Sequence, residues 1–423
     1  MKKTIFLIIA ILLFSITIAV FFNNSINVKA KTINVNYDGS AEYTSIQEAI
    51  NASSDGDTVY VHSGTYYENI IIPRSKSITL QGENKYTTIV DGEKEGSIFF
   101  VNADYVKITG FTIRHSGVGG SYPDYFAGIN LRTHDITITD NIIENNVYGI
   151  TSSYYDTQTY GYPGQRCDNL SIYDNILENN SYGIDLNGVY YADVYNNIFL
   201  NQIDTAESKT GGDAINIGGC EYCMIYNNKI TNCVEAFNIY NSGNNSIYLN
   251  EITNISKNGF YLWPGHYNKI VGNTIKDSHL GIHLDYNSKH NTIFLNNFIN
   301  NTEDLIQDYN SRDNKIDNGQ YGNYWSNYDG VDNNNNGIGD SPNIKIPDGF
   351  NQDHEATLTD HYPLMSQWQS KFDENQLKQF IEDSSEDTKS KKEKDNGGSI
   401  PGFETIILTL AITLIVLYNK KKY

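Results

Sequence analysis

Oxygen-bearing side chains recur at a fixed spacing near the end of the chain's polar body. Asp332, Asn334, Asn336 and Asp340 hold positions 1, 3, 5 and 9 of a run whose position 6 is Gly337. Alternating oxygens around a glycine that permits a tight turn are the first half of a calcium loop. Position 12 is Asn343 and not the bidentate Glu of the helix–loop–helix form, which disfavours that form. Asp329 offers one more ligand. A structural calcium ion is the expectation here, and an Asn-rich surface turn is the alternative.

A second group lies on segments of the form Gly-Ile-x-Leu. The polar positions between their apolar residues are Asn130, Arg132, Thr151, Asp185, Asn187, Asn216, Asn238, Tyr261, Trp263, His283 and Asp285. Strand alternation turns all of them to one face. Rings for sugar faces and polar groups for hydroxyls then suit a polysaccharide groove, with Asn187, Asn216, Asn238, Tyr261 and Trp263 as its binding residues. Chemistry on that face rests on weaker signals. Asp185 and Asp213 could supply the two carboxylates of glycoside hydrolysis, although nothing in the sequence fixes their separation. His283-Leu-Asp285 is a single His-x-Asp pair of the kind an epimerase would use. The Tyr- and Gly-rich inserts at 152–168 and 202–212 would stand beside the face as walls. An ordinary solvated sheet face is the alternative.

The third group is Cys220-Glu-Tyr-Cys223 with Cys233. Three soft ligands could hold copper(I), or two of them a short-range disulfide. Cys223 falls on an inward position, however, which favours inert thiols packed as small core residues, so copper is disfavoured. Cys167 completes a set of four, too few for disulfides to hold a secreted chain of 423 residues together. A formal charge of −20 excludes nucleic acid as a partner, because one polyanion repels another.

What positions these residues is a repeat. Ile138-Thr-Asp-Asn141-Ile-Ile-Glu-Asn145 returns at Asn175, Asn197, Asn228, Asn250, Asn273 and Asn297, at intervals of 34, 22, 31, 22, 23 and 24. A weaker copy begins at Ile108. Each unit is followed by its Gly-Ile-x-Leu half, as in Gly183-Ile184-Asp185-Leu186 and Gly281-Ile282-His283-Leu284. Both halves alternate apolar and polar residues, so a base period of 22 to 24 carries two or three short strands per turn. Such turns bury their apolar faces only by stacking. The predicted fold is all-β: a right-handed single-stranded parallel β-helix. The recurrent Asn is expected at a left-handed bend, bonding along the stack. Tyr173, Tyr195, Tyr226 and Tyr248 are expected to form an outward stack. A helix over 43–50 with a Ser45/Glu48 capping box would cover the first rung.

The ends carry membrane signals. Residues 1–30 read as a signal peptide: Lys2 and Lys3, an apolar run over 5–22, and Val28-Lys29-Ala30 before the cut, with an uncleaved anchor as the alternative. Residues 31–320 are the expected β-helix and 321–370 a C-terminal cap with the calcium loop. Residues 371–399 read as a charged disordered linker. Residues 400–423 read as a membrane anchor or sorting signal, with the basic tail Lys420-Lys421-Lys422 inside. Six sequons, at Asn51, Asn169, Asn179, Asn244, Asn254 and Asn300, permit glycosylation.

The stretch from Tyr43 to Gly92 resembles the opening of pectate-lyase-like β-helices. The repeats, with Gly322-Asn323-Tyr324-Trp325-Ser326 and Gly337-Ile338-Gly339-Asp340, resemble the NosD family of surface and periplasmic β-helices. The spacer, Pro401-Gly402-Phe403, apolar segment and basic end resemble PGF-type archaeal sorting signals, which exchange the tail for a lipid anchor. The calcium motif is nearer to dockerin- or thrombospondin-like loops. These resemblances imply an extracellular, surface-anchored β-helix that binds or processes glycans. If it is an enzyme, a polysaccharide lyase, glycoside hydrolase or epimerase type is implied. A structural or adhesive envelope protein and a copper-handling NosD-like accessory are the alternatives.

Overall fold

A computed structural model describes residues 30–119, 125–152, 167–203, 211–308, 310–345 and 357–382. Residues 1–29 of the expected signal peptide, most of each insert, most of the linker and the C-terminal anchor lie outside them. Among the described residues no helix is long and apolar enough to cross a membrane.

Three long parallel sheets of 11, 11 and 10 strands run the length of the body, and each turn gives one short strand to each sheet. One turn shows the plan: Ser171–Tyr173 in the first sheet, Ile176–Glu178 in the second and Tyr182–Asn187 in the third. The next turn resumes at Asp193–Tyr195, in register under Ser171–Tyr173. This is the right-handed parallel β-helix that the repeat predicts. Its core is a set of apolar columns: Ile138, Ile172, Val194, Ile225, Ile247, Ile270 and Ile293 stack in the first sheet, all fully buried. The glycine of Gly-Ile-x-Leu lies inside its strand where the next rung leaves no room for a side chain, since a Cβ at Gly259 would stand 2.6 Å from the Gly281 carbonyl oxygen.

The bends hold two corrections. The stacked Asn residues are not themselves left-handed; that conformation belongs to the residue before each, Asp140, Asp174, Asn196, Asn227 and Leu249 among them. The ladder Asn lies buried inside the bend. Asn250 Nδ2 donates to Ile225 O (3.0 Å) and Asn273 Oδ1 (2.9 Å), while its Oδ1 accepts from the Asn228 amides. Every polar atom of the amide is used, which is why a buried Asn is tolerated there. The second correction concerns the last unit, whose ladder residue is Asn296 and not Asn297: Asn273 Nδ2 donates to Asn296 Oδ1 at 3.0 Å. The interval is thus 23, in keeping with its neighbours.

Both ends are covered. Helix α1 (Ile46–Ala52) lays Ile46, Ala49 and Ile50 on the first rung. Ser45 caps it by accepting from the Glu48 amide, but the carboxylate partner is Glu68 from the rung below and not Glu48: it accepts from the Ile46 and Gln47 amides at 2.9 and 3.0 Å. At the far end, α2 (Glu374–Glu382) falls inside the stretch expected to be a disordered linker. Leu377 and Ile381 give it an apolar stripe, and that stripe packs on Val271, Phe294, Leu295, Leu364 and Trp368. The cap therefore extends past 370, because two apolar residues four apart outweigh the surrounding charge. Tyr248, at the end of the predicted tyrosine stack (ring centroids 4.8–4.9 Å apart), belongs to the same cluster. Leu377→Ala is expected to cost about 2–4 kcal/mol, read as an earlier thermal transition; an unchanged transition would show that α2 does not brace the stack.

Candidate functional site

The outward side of the third sheet carries the predicted polar residues in one register. Thr151, Asp185, Asn216, Asn238, Tyr261 and His283 follow one another rung by rung. The structure divides this column into a buried half and an open half.

In the buried half, Asn130, Arg132, Thr151 and Asp185 are all hidden, so they form no open groove. Asp185 accepts from Asn216 Nδ2 (2.7 Å), Asn187 Nδ2 (3.0 Å) and Thr151 Oγ1 (3.3 Å). Burial nevertheless pushes its carboxyl up to about 6. Asp213 stands in the flanking column, where its partner on the next rung is Glu235. Burial first, and then the Glu235 charge, push Asp213 up to about 7. Asn238 Nδ2 donates to Asp213 at 3.2 Å; Lys257 and Asn258 answer Glu235 at 2.5 and 3.0 Å. Glu235 and Lys257 were not singled out in the sequence, though Glu235 lies 22 residues after Asp213, one repeat away.

The open half is aromatic. Tyr240 and Trp263 are 46% and 38% exposed, with ring centroids 4.8 Å apart. Tyr261 lies 6.1 Å from Trp263 and 5.3 Å from His283, and Lys257 sits over its ring at 5.5 Å. Trp263 Nε1 donates to Asn238 Oδ1 at 3.3 Å, which fixes the ring on the sheet. The Tyr261 hydroxyl donates to Asp285 Oδ2 at 2.6 Å, and His283 Nε2 stands 3.3 Å from Asp308 Oδ1. The sequence missed Tyr240 and Asp308, each 23 residues from a residue it did identify, Trp263 and Asp285.

In the loop 332–340 the oxygens serve the backbone. Asp332 accepts from the Asn336 and Gly337 amides (3.2 and 2.8 Å), Asn334 from Asn336 (3.0 Å) and Asn336 from Ile338 (2.8 Å). Asp340 accepts from the Asn333 amide at 2.8 Å. The four residues share one tight turn closed by Gly337, whose φ is +80°.

A β-helix of stacked short repeats with one polar, partly aromatic face is the class this architecture defines. Within it the chain is NosD-like: residues 166–330 match the family model described as periplasmic copper-binding protein (NosD). Eighty residues are 39% identical to a probable ABC transporter binding protein NosD of Pseudomonas aeruginosa, covering 19% of this chain and 18% of that one. A stretch of 112 residues is 35% identical to a cell surface glycoprotein of Methanothermus fervidus, covering 26% and 17%. The chain thus spans less than a fifth of the length of these relatives. Among solved structures, DFA-IIIase of Arthrobacter chlorophenolicus A6 without its lid superposes with a TM-score of 0.47 at 12% identity, over 68% of this chain and 94% of that one.

The family description raises copper, and the thiols test the fit. All four cysteines are free and buried. Burial pushes the Cys220 thiol well above its ordinary value and Cys233 to about 12. Cys220 Sγ donates to Leu186 O at 3.4 Å and Cys223 Sγ to Val189 O at 3.8 Å. Among the described residues the three thiols do not converge on one point that an ion could occupy, and they are buried as core residues bonded to backbone carbonyls, so this set does not fit copper(I).

Proposed function

We propose that the chain is an extracytoplasmic β-helix whose open third-sheet face binds carbohydrate. The observation that carries this reading is the platform of exposed Tyr240 and Trp263 beside half-buried Tyr261 and His283, set on a rigid sheet with hydrogen-bonding groups along its margin. Planar rings cover the apolar faces of sugars, and Asn216, Asn238 and Asp285 suit their hydroxyls. Asn187 stands at the edge of this surface. Binding is favoured over turnover, because Asp185 is saturated by three side-chain donors and hidden from a substrate. The described periplasmic family and the cell surface glycoprotein relative support a location outside the cytoplasm. Membrane attachment through residues 400–423 belongs to the same reading. A glycan array probed with the purified protein tests it: saturable binding to a defined set of glycans is expected. Binding to none would leave a structural envelope protein as the better reading.

Calcium is proposed as a structural ion of the loop 332–340, from the spacing of its oxygens alone. A chelator is expected to lower the melting temperature of the wild type, and Asp332→Ala should remove that response. Identical melting curves with and without chelator would end the proposal.

A further inference from the structure

We propose that His283, Asp285 and Asp308 form a site for one divalent transition ion of the zinc class. The inference stands whether or not the neighbouring platform binds a glycan. One ligand atom from each of the three lies within 4.8 Å of the other two, a spread that one ion can close with small side-chain rotations. The fold creates this proximity. His283 and Asp285 leave one strand end on the same side, and Leu284 pairs with Gln307 on the next rung, so Asp308 stands directly beyond Asp285.

Like charges one rung apart need an answer. Buried carboxylates elsewhere have a fixed cation: Lys257 for Glu235 (2.5 Å), Lys345 for Asp304 (3.2 Å) and Arg114 for Asp91 (2.9 Å). Around Asp285 and Asp308, the ion pair seen among the described residues is with His283 alone. A dication held between them would bind both carboxylates at once and supply the missing positive charge.

The donor set selects the ion. Calcium and magnesium prefer oxygen alone, whereas an imidazole beside carboxylates suits zinc, cobalt or copper(II). Three protein ligands leave room for water in a fourth position. The Tyr261 hydroxyl, bonded to Asp285 Oδ2, holds that carboxylate in place as an outer-shell partner. The His283 and Asp308 side chains are part-exposed, so an ion can reach them from solvent.

Zinc titration of the full chain by calorimetry, with melting curves alongside, decides the matter. One zinc per chain and a higher melting temperature are expected for the wild type. His283→Ala should weaken binding at least tenfold, as should Asp308→Asn, a near-isosteric change that keeps the strand end folded. His361→Ala, which removes a different His–Asp pair, should bind zinc like the wild type. Excess calcium should not displace the zinc. Absence of saturable uptake, equal uptake by both site variants, or displacement by calcium would each overturn the proposal.

Discussion

Ile247→Asp is expected to abolish the cooperative fold of the central rungs. Ile247 is fully buried and stacks between Ile225 and Ile270 in the apolar column of the first sheet. A carboxylate there would meet hydrocarbon on every side, with no cation to answer it. The penalty is on the order of 5 kcal/mol, comparable to the whole stability of many domains. Because each rung is stabilised by the rungs it touches, the damage should spread to Ile225 and Ile270 and not stay local. Circular dichroism melting measures it directly. A variant that melts like the wild type would mean that Ile247 does not face inward and that the stacking register is wrong.

The second large effect is a dependence of stability on pH that runs opposite to the usual carboxylate case. Asp213 has a folded value of about 7 against an ordinary 3.8, and Asp185 one of about 6. A group raised in the folded state contributes its full stability below its unfolded value. That contribution is lost as pH rises through the folded value. For Asp213 the window runs from near 4 to about 7, and a shift of this size is worth about 4 kcal/mol at most. The wild type should therefore melt later at the acidic end of the window than above it. Asp213→Asn, which removes the charge, should raise the melting temperature above the window and flatten much of the trend. A variant less stable than the wild type there would show that the ionised carboxylate is favourably held, contrary to its surroundings.

Much of this molecule is legible in the sequence, because a stacked fold writes its pattern many times over. Alternation within each unit sets the faces, and the 22–24 interval sets the rungs, so Asp185, Asn216, Asn238, Tyr261 and His283 could be assigned to one column without coordinates. Where two neighbouring residues are both plausible, the pattern misleads. Asn is good both at a left-handed bend and in a buried ladder, and only the bonds of Asn250 and its neighbours separate the roles. Glu235 escaped notice because the strict alternation fails at its end of the strand: Ala236 and Phe237 are both buried after it. Asp308 escaped because it lies one residue beyond its strand. The burial of Asp185 was not legible at all, since nothing local distinguishes it from exposed Asp residues elsewhere. Helix α2 was hidden by composition, its apolar residues being few among charges.

The central claim, that the open face of the third sheet binds carbohydrate, rests on Trp263. Calorimetric titration of a glycan selected by the array, into wild type and Trp263→Ala, tests it most directly. A lost stacking platform costs about 1–2 kcal/mol, so affinity should fall roughly tenfold. The melting temperature should barely move, because the ring stands on the surface. Equal affinity in the two proteins, or a variant that unfolds early yet binds as well as the wild type, would show that Trp263 packs the sheet and that the platform is not the binding surface.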